Sequence, residues 1–217
     1  MRGIAATSLI CVMALAACGG DSGKSNADLL KEAVLNMKAA KTYHLNADIN
    51  QAGQAVKLDG DIDLTNKNMK LDIDSSGTKV SVIQVGDKVY LSMDGGANYT
   101  ETDQGASITA GFASFTNMWD SFNPEDVDKA KDALKDGTPA TETMDGVVTK
   151  HITSDAKQLS VLGSGSSDMA GTVDFWLGPD AKPYIRKMAI DATSDGDPVK
   201  GTVIWSKIDE AMDIKAP

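Results

Sequence analysis

Between Tyr43 and Met93 apolar residues recur on every second position. The runs are Tyr43, Leu45, Ala47 and Ile49; Val56, Leu58, Gly60, Ile62 and Leu64; Met69, Leu71 and Ile73; Val80 and Val82; and Val89, Leu91 and Met93. A period of two puts each run on one face of a strand and its polar neighbours on the other. Polar links at Gln51–Gly53, Asn66–Asn68, Ser75–Gly77 and Gly86–Asp87 separate the runs. Links this short join antiparallel neighbours, so the segment predicts a meander of five strands.

The alternation returns at Ala140–Met144, Val147–Thr153, Gly171–Leu177, Pro183–Ala192 and Val199–Ile208. Elsewhere the period changes. Leu29, Leu30, Ala33, Val34, Met37 and Ala40 recur at steps of three and four, which predicts an amphipathic helix over Ala27–Lys41 with Asn26 and Asp28 supplying cap and first-turn chemistry. Pro124, followed by Glu125 and Asp126, opens a second helix that runs to Lys135 and ends before Gly137. Phe112, Phe115, Trp119 and Phe122 lie at offsets 0, 3, 7 and 10, one face of a short helix. Ala156–Leu162 reads as a short helix and Gly163–Asp168 as a loop. The class is therefore α+β: about ten antiparallel strands, an N-terminal helix and a central helical block, in a sheet large enough that it must curl or be covered.

The first residues belong to no fold. Ile4–Ala14 is an apolar run interrupted only by Thr7 and Ser8, too short to span a bilayer at ~20 residues. It leads into Leu15-Ala16-Ala17-Cys18-Gly19, which resembles a bacterial lipobox. The expected organisation is a lipoprotein signal peptide over 1–17, a flexible tether over 18–25 from a lipidated Cys18, and a single domain over 26–217. An ordinary signal peptide cut near Ala17 is the alternative. Buried acyl methylenes contribute about 0.8 kcal/mol each, so a lipidated Cys18 holds the chain to the membrane on its extracytoplasmic side. Of the two cysteines, Cys11 leaves with the leader and Cys18 is consumed, which excludes thiol catalysis and cysteine metal sites. The net charge of −10 becomes one unit more negative when Arg2 leaves. Such a surface repels a phosphate backbone and excludes nucleic acid as a partner.

Several patterns imitate chemistry and fail on a necessary position. Gly19–Ser25 reads G-G-D-S-G-K-S, but a phosphate loop needs glycine where Cys18 stands. Asp59, Asp61 and Asp63 begin like a calcium loop, yet Leu64 and Lys70 occupy the positions of its glycine and closing glutamate. They read instead as the outer face of a strand, with Gly60, Ile62 and Leu64 inward. His44 and His151 sit at polar phases of strands without a third ligand near in sequence, so no metal or other cofactor is expected. No G-x-S-x-G elbow gives a serine its context, and an enzyme is not expected.

Taken together, the lipobox, the helix Leu29–Ala40 running into Tyr43-His44-Leu45-Asn46-Ala47, the Val85–Leu91 hairpin and the Val173–Asp180 strand and turn, with the closing Ile214-Lys215-Ala216-Pro217, resemble the LppX/LprG (LppX_LprAFG) family of bacterial lipoproteins. That family is similar in fold to the lipoprotein carrier LolA. The resemblance implies a strongly curved antiparallel half-barrel with helices on its concave side, enclosing an apolar pocket for acylated lipids or lipoglycans carried within the cell envelope. It implies a monomer at the membrane, with a membrane transporter as a further partner. In this sequence Ile108, Phe112, Phe115, Met118, Trp119 and Phe122 would line one wall of the cavity, and Leu58, Ile62, Leu71, Ile73, Val80, Val82, Val173 and Phe175 the other. Helical or alternating spacing of such residues also describes an ordinary packed core. Methionines 69, 93, 118, 169 and 188 suit either. Arg186 is the single arginine beyond the leader, so binding would rest on acyl burial rather than on bidentate phosphate recognition. The competing reading is a surface interaction or assembly lipoprotein with a fully packed sheet.

Overall fold

The computed structural model describes residues 24–103, 119, 124–144, 146–159, 169–178 and 181–217. Ser25, one residue before the expected cap, opens helix α1 (Asn26–Ala39): its hydroxyl accepts from Asp28 N while the Asp28 carboxylate faces the Ser25 backbone N–H, a capping box. The helix stops at Ala39, short of the predicted Lys41, because Ala40 is already extended. Leu29, Leu30, Ala33, Val34 and Met37 form its buried stripe.

The five predicted strands follow as β1 (Thr42–Gln51), β2 (Gln54–Asp63), β3 (Asn68–Ser75), β4 (Thr78–Val85) and β5 (Lys88–Ser92). A two-residue edge strand, β6 (Thr100–Glu101), comes next; two residues are too few to show a period. Helix α2 covers only Pro124–Lys129, continued by a 3-10 turn at Lys131–Ala133. The predicted helix to Lys135 is thereby cut short, and β7 (Lys135–Met144) starts ahead of the expected Ala140. Then come β8 (Val147–Asp155), helix α3 (Ala156–Leu159), β9 (Ala170–Leu177), β10 (Ile185–Ser194) and β11 (Asp197–Ser206). The described sheet thus has eleven strands rather than ten. Of the predicted central helical block, the described residues are Trp119, which is helical, and those from Pro124 onward.

All neighbours in the sheet are antiparallel, in the order β6-β5-β4-β3-β2-β1-β11-β10-β9-β8-β7. The first half fans out from β1 toward one edge and the second half returns from the other. They meet where the first strand pairs with the last, Leu45 opposite Trp205 and Ala47 opposite Val203. The connection from β6 to β7 therefore leads from one edge of an open sheet to the other. Helix α1 contacts α2, β9 and β10, fixed by Lys31 to Asp128 at 2.8 Å and by Asn36 Nδ2 donating to Pro183 O at 2.8 Å.

Gly60 marks a close approach between neighbouring strands. It lies on the inner face between Leu45 and Leu71, and a Cβ there would stand 2.3 Å from Lys70 O. Only glycine admits that approach of β3, the kind of position at which a sheet bends. Among the described residues no helix is long and apolar enough to cross a membrane.

Candidate functional site

Strand alternation and register together write the inner face as apolar rows running across the sheet. One row passes through Trp205, Leu45, Gly60, Leu71, Val82 and Leu91. The next passes through Phe175, Met188, Val203, Ala47, Leu58, Ile73 and Val80. A third runs through Val173, Ile190, Gly201, Ile49 and Val56. Cross-strand apolar pairs of this kind are the elementary stabilising contacts of a sheet, and here they are also one continuous surface.

Of the residues predicted to form a cavity, Leu58, Ile62, Leu71, Val82, Val173 and Phe175 are buried on this face in one core with α1. Ile73 and Val80 are only partly buried against it. Trp119 is also in that core, its ring centroid 5.0 Å from that of Trp205 and tilted 57°. Ile108, Phe112, Phe115, Met118, Phe122 and Cys18, the residue expected to be lipidated, lie outside the described residues.

Burial on the inner face is uneven. Tyr43, Leu45 and Trp205 share one core with α1 and are each about 1% exposed. Toward the β1–β2 turn, Ile49, Val56, Ile73, Val80 and Ile190 stay half-buried. Two polar atoms lie within the covered part: the Tyr43 hydroxyl and the Trp205 indole N–H are buried and have no hydrogen-bond partner among the described residues. Burial pushes the Tyr43 phenol up to about 12, so it remains a neutral O–H donor.

Three predictions about which residues face outward are corrected. Leu64 is exposed rather than inward: β2 ends at Asp63, and Leu64 sits in the turn with its N–H donating to Lys41 O. Asp63 is buried instead, accepting from Thr65 N, Asn66 N and Asn66 Nδ2. Burial pulls its carboxyl up, and these three bonds outweigh that and hold it below the ordinary value. Asp59 and Asp61 do face outward, flanking His44, whose Nδ1 is 2.7 Å from Asp61 Oδ1. Met93, predicted with the apolar face, is 65% exposed.

His151 is at its polar phase yet 6% exposed. It stacks on Trp176 at 4.3 Å and meets Asp174 Oδ1 at 2.8 Å, while Lys187 Nζ lies 3.8 Å over the Trp176 ring, whose N–H donates to Glu142. Across it, β7 bulges between Asp136 and Thr141. No sequence period signals this cluster, because its members come from four strands. Among the described residues no group of three His, Cys, Asp or Glu side chains gathers as a metal site.

Two concavities outside the inner face are well described. One is a groove of about 510 Å3 on the outer face of β1–β4, walled by Asp48, Lys57, Asp59, Asp72, Lys79 and the Gly95 loop. The other, of about 370 Å3, opens between the β7–β8 hairpin, the start of β10 and the end of β11.

No family model matches the chain, and no curated protein matches it in sequence. Among solved structures it is similar to the lipoprotein LppX of Mycobacterium tuberculosis, with 16% identity and a TM-score of 0.56 over 88% of this chain and 98% of that one. It is also similar to LprF of Mycobacterium bovis, with 13% identity and a TM-score of 0.55 over 88% and 96%. At these identities the likeness is one of fold: an open antiparallel sheet of the LppX and LprF kind.

Proposed function

We propose that this chain is a lipoprotein of the cell envelope, anchored through Cys18, whose inner sheet face takes the acyl chains of lipids and carries them within the envelope. The observation that carries the reading is the strip of half-buried apolar residues Ile49, Val56, Ile73, Val80 and Ile190, which continues the core beyond its fully buried part. A fully packed sheet would bury that strip. The lipobox and the fold shared with two proteins, one of them a lipoprotein by name, support the same reading. Acyl burial at about 25 cal/mol per Å2 supplies several kcal/mol for one long chain without any polar contact. The mechanism is then physical: a chain leaves one leaflet, lies along the strip, and is released elsewhere.

The test is native mass spectrometry of the full chain carrying Cys18→Ala, expressed in a bacterium. Bound lipid masses are expected, and Ile73→Gln should lose them while far-UV circular dichroism stays unchanged. A protein that carries no lipid and takes up no fluorescent fatty acid refutes the reading. Anchoring is tested apart from binding: radiolabelled palmitate should enter the wild-type chain and not Cys18→Ala.

The second reading, an interaction lipoprotein, is favoured by the outer groove and its carboxylates at Asp48, Asp59 and Asp72. It predicts capture of a basic partner that is lost on charge reversal there, with no lipid bound.

A further inference from the structure

Arg186 is the only arginine beyond residue 2 in a chain of 31 acidic side chains, and no carboxylate pairs with it among the described residues. Between Ile185, opposite Leu177, and Lys187, opposite Trp176, the pairing of β10 with β9 shifts. The shift makes Arg186 the extra residue of a bulge, a device that re-aims a side chain. The guanidinium carbon lies 5.8 Å from the Tyr184 ring centroid. Its Nε is buried without a hydrogen bond among the described residues. No ion pair reaches the guanidinium there either.

Arg186 lines the pocket of about 370 Å3 with Lys207 and Ser206 as further donors and Met144, Val147, Ile204 and Trp205 as an apolar wall. Glu210 also lines the pocket and pairs with neither cation among the described residues. We propose that this pocket binds an oxyanion, a phosphate carried on a short apolar body, with the Arg186 fork as its bidentate partner. A planar guanidinium with unused donors matches two oxygens of such a group, and the apolar wall matches what the group is attached to. None of the residues that line this pocket belongs to the acyl strip.

The probes are inorganic phosphate, hexyl phosphate and dihexanoyl phosphatidic acid, titrated calorimetrically into the full chain carrying Cys18→Ala. Hexyl phosphate should bind more tightly than inorganic phosphate, and Arg186→Gln should weaken it by roughly tenfold or more. Arg186→Lys, which keeps charge and bulk, should weaken it less, and serves if the glutamine variant melts early. Ile73→Gln should leave hexyl phosphate binding unchanged, which separates this site from the acyl strip. If the phosphatidic acid alone binds and does so independently of Arg186, it is held by the sheet and the proposal fails. Equal binding of hexyl phosphate by wild type and both arginine variants overturns it, and inorganic phosphate binding as tightly as hexyl phosphate overturns the apolar wall.

Discussion

Tyr43 carries a hydroxyl into the core and finds no partner for it among the described residues. A buried polar group left unsatisfied costs about 1–3 kcal/mol, whereas an apolar replacement of the same shape does not. Tyr43→Phe should therefore leave stability unchanged or raise it by about 1 kcal/mol in urea unfolding. A loss of that size would instead mean that the hydroxyl is bonded in solution. Gly137 makes the opposite case. A Cβ there would lie 2.2 Å from His151 Nδ1, so the backbone of β7 closes directly over the imidazole. Gly137→Ala should cost about 1–3 kcal/mol by overpacking, and adding His151→Ala should return part of it, a coupling measured by a double-mutant cycle.

At the scale of elements, the junctions hold as much interest as the strands. Asp209, just past β11, accepts from Lys41 N at 2.9 Å and Tyr184 Oη at 2.6 Å and receives Lys182 at 3.3 Å. Its own N–H donates to Thr42 O. One side chain thus ties the end of α1, the approach to β10 and the exit of β11. Burial raises the Asp209 carboxyl, and the bonds from Tyr184, Lys41 and Lys182 outweigh it, so the group ionises below its ordinary value. A carboxylate depressed on folding contributes stability that is complete above the unfolded value near 4, and is lost as pH falls through the lower folded value. Asp209→Asn keeps the shape and removes the charge. The wild type should exceed it in stability at neutral pH, and the difference should shrink below about pH 4 in acid unfolding curves.

The elements that periodicity exposes are those whose apolar and polar residues alternate cleanly. β1–β5 and β8–β11 alternate apolar inner residues with mostly polar outer ones, so each is legible to within a few residues of its ends, although His151 and Trp176 are buried on the outer phase. Where the outer face is covered the pattern hides. β7 opens on Lys135-Asp136-Gly137 with no apolar phase, so Lys135 reads in the sequence as the tail of a helix; its role is to lay backbone across His151. Likewise Leu64 keeps the period of β2 in sequence while the chain has already turned. The inner-face residues were legible as a set, since phase alone gathers Leu58, Leu71, Val82 and Phe175. Their partners were not, because Leu45 meets Trp205 across 160 positions of chain. Arg186 stood out only by its rarity, and the bulge that aims it has no mark in the sequence.

For the whole molecule, the governing fact is the pairing of β1 with β11. Each half of the sheet is a local meander, but the seam between them joins the two ends of the chain and sits centrally in the strand order. Removing β11 should not trim an edge; it should expose β1 along its length and split the core that runs from Phe175 to Leu58. A chain ending at Gly196 is expected to lose cooperative unfolding in differential scanning calorimetry, whereas a two-residue deletion of β6 should leave it intact. That seam also sets an order of events in time. A chain is made from its N-terminal end at about 5–20 residues per second, so β1 waits many seconds with an open hydrogen-bonding edge before its neighbour exists. During that interval the half-built sheet is a template for any passing strand, and whatever shields it has to act before the last residues arrive.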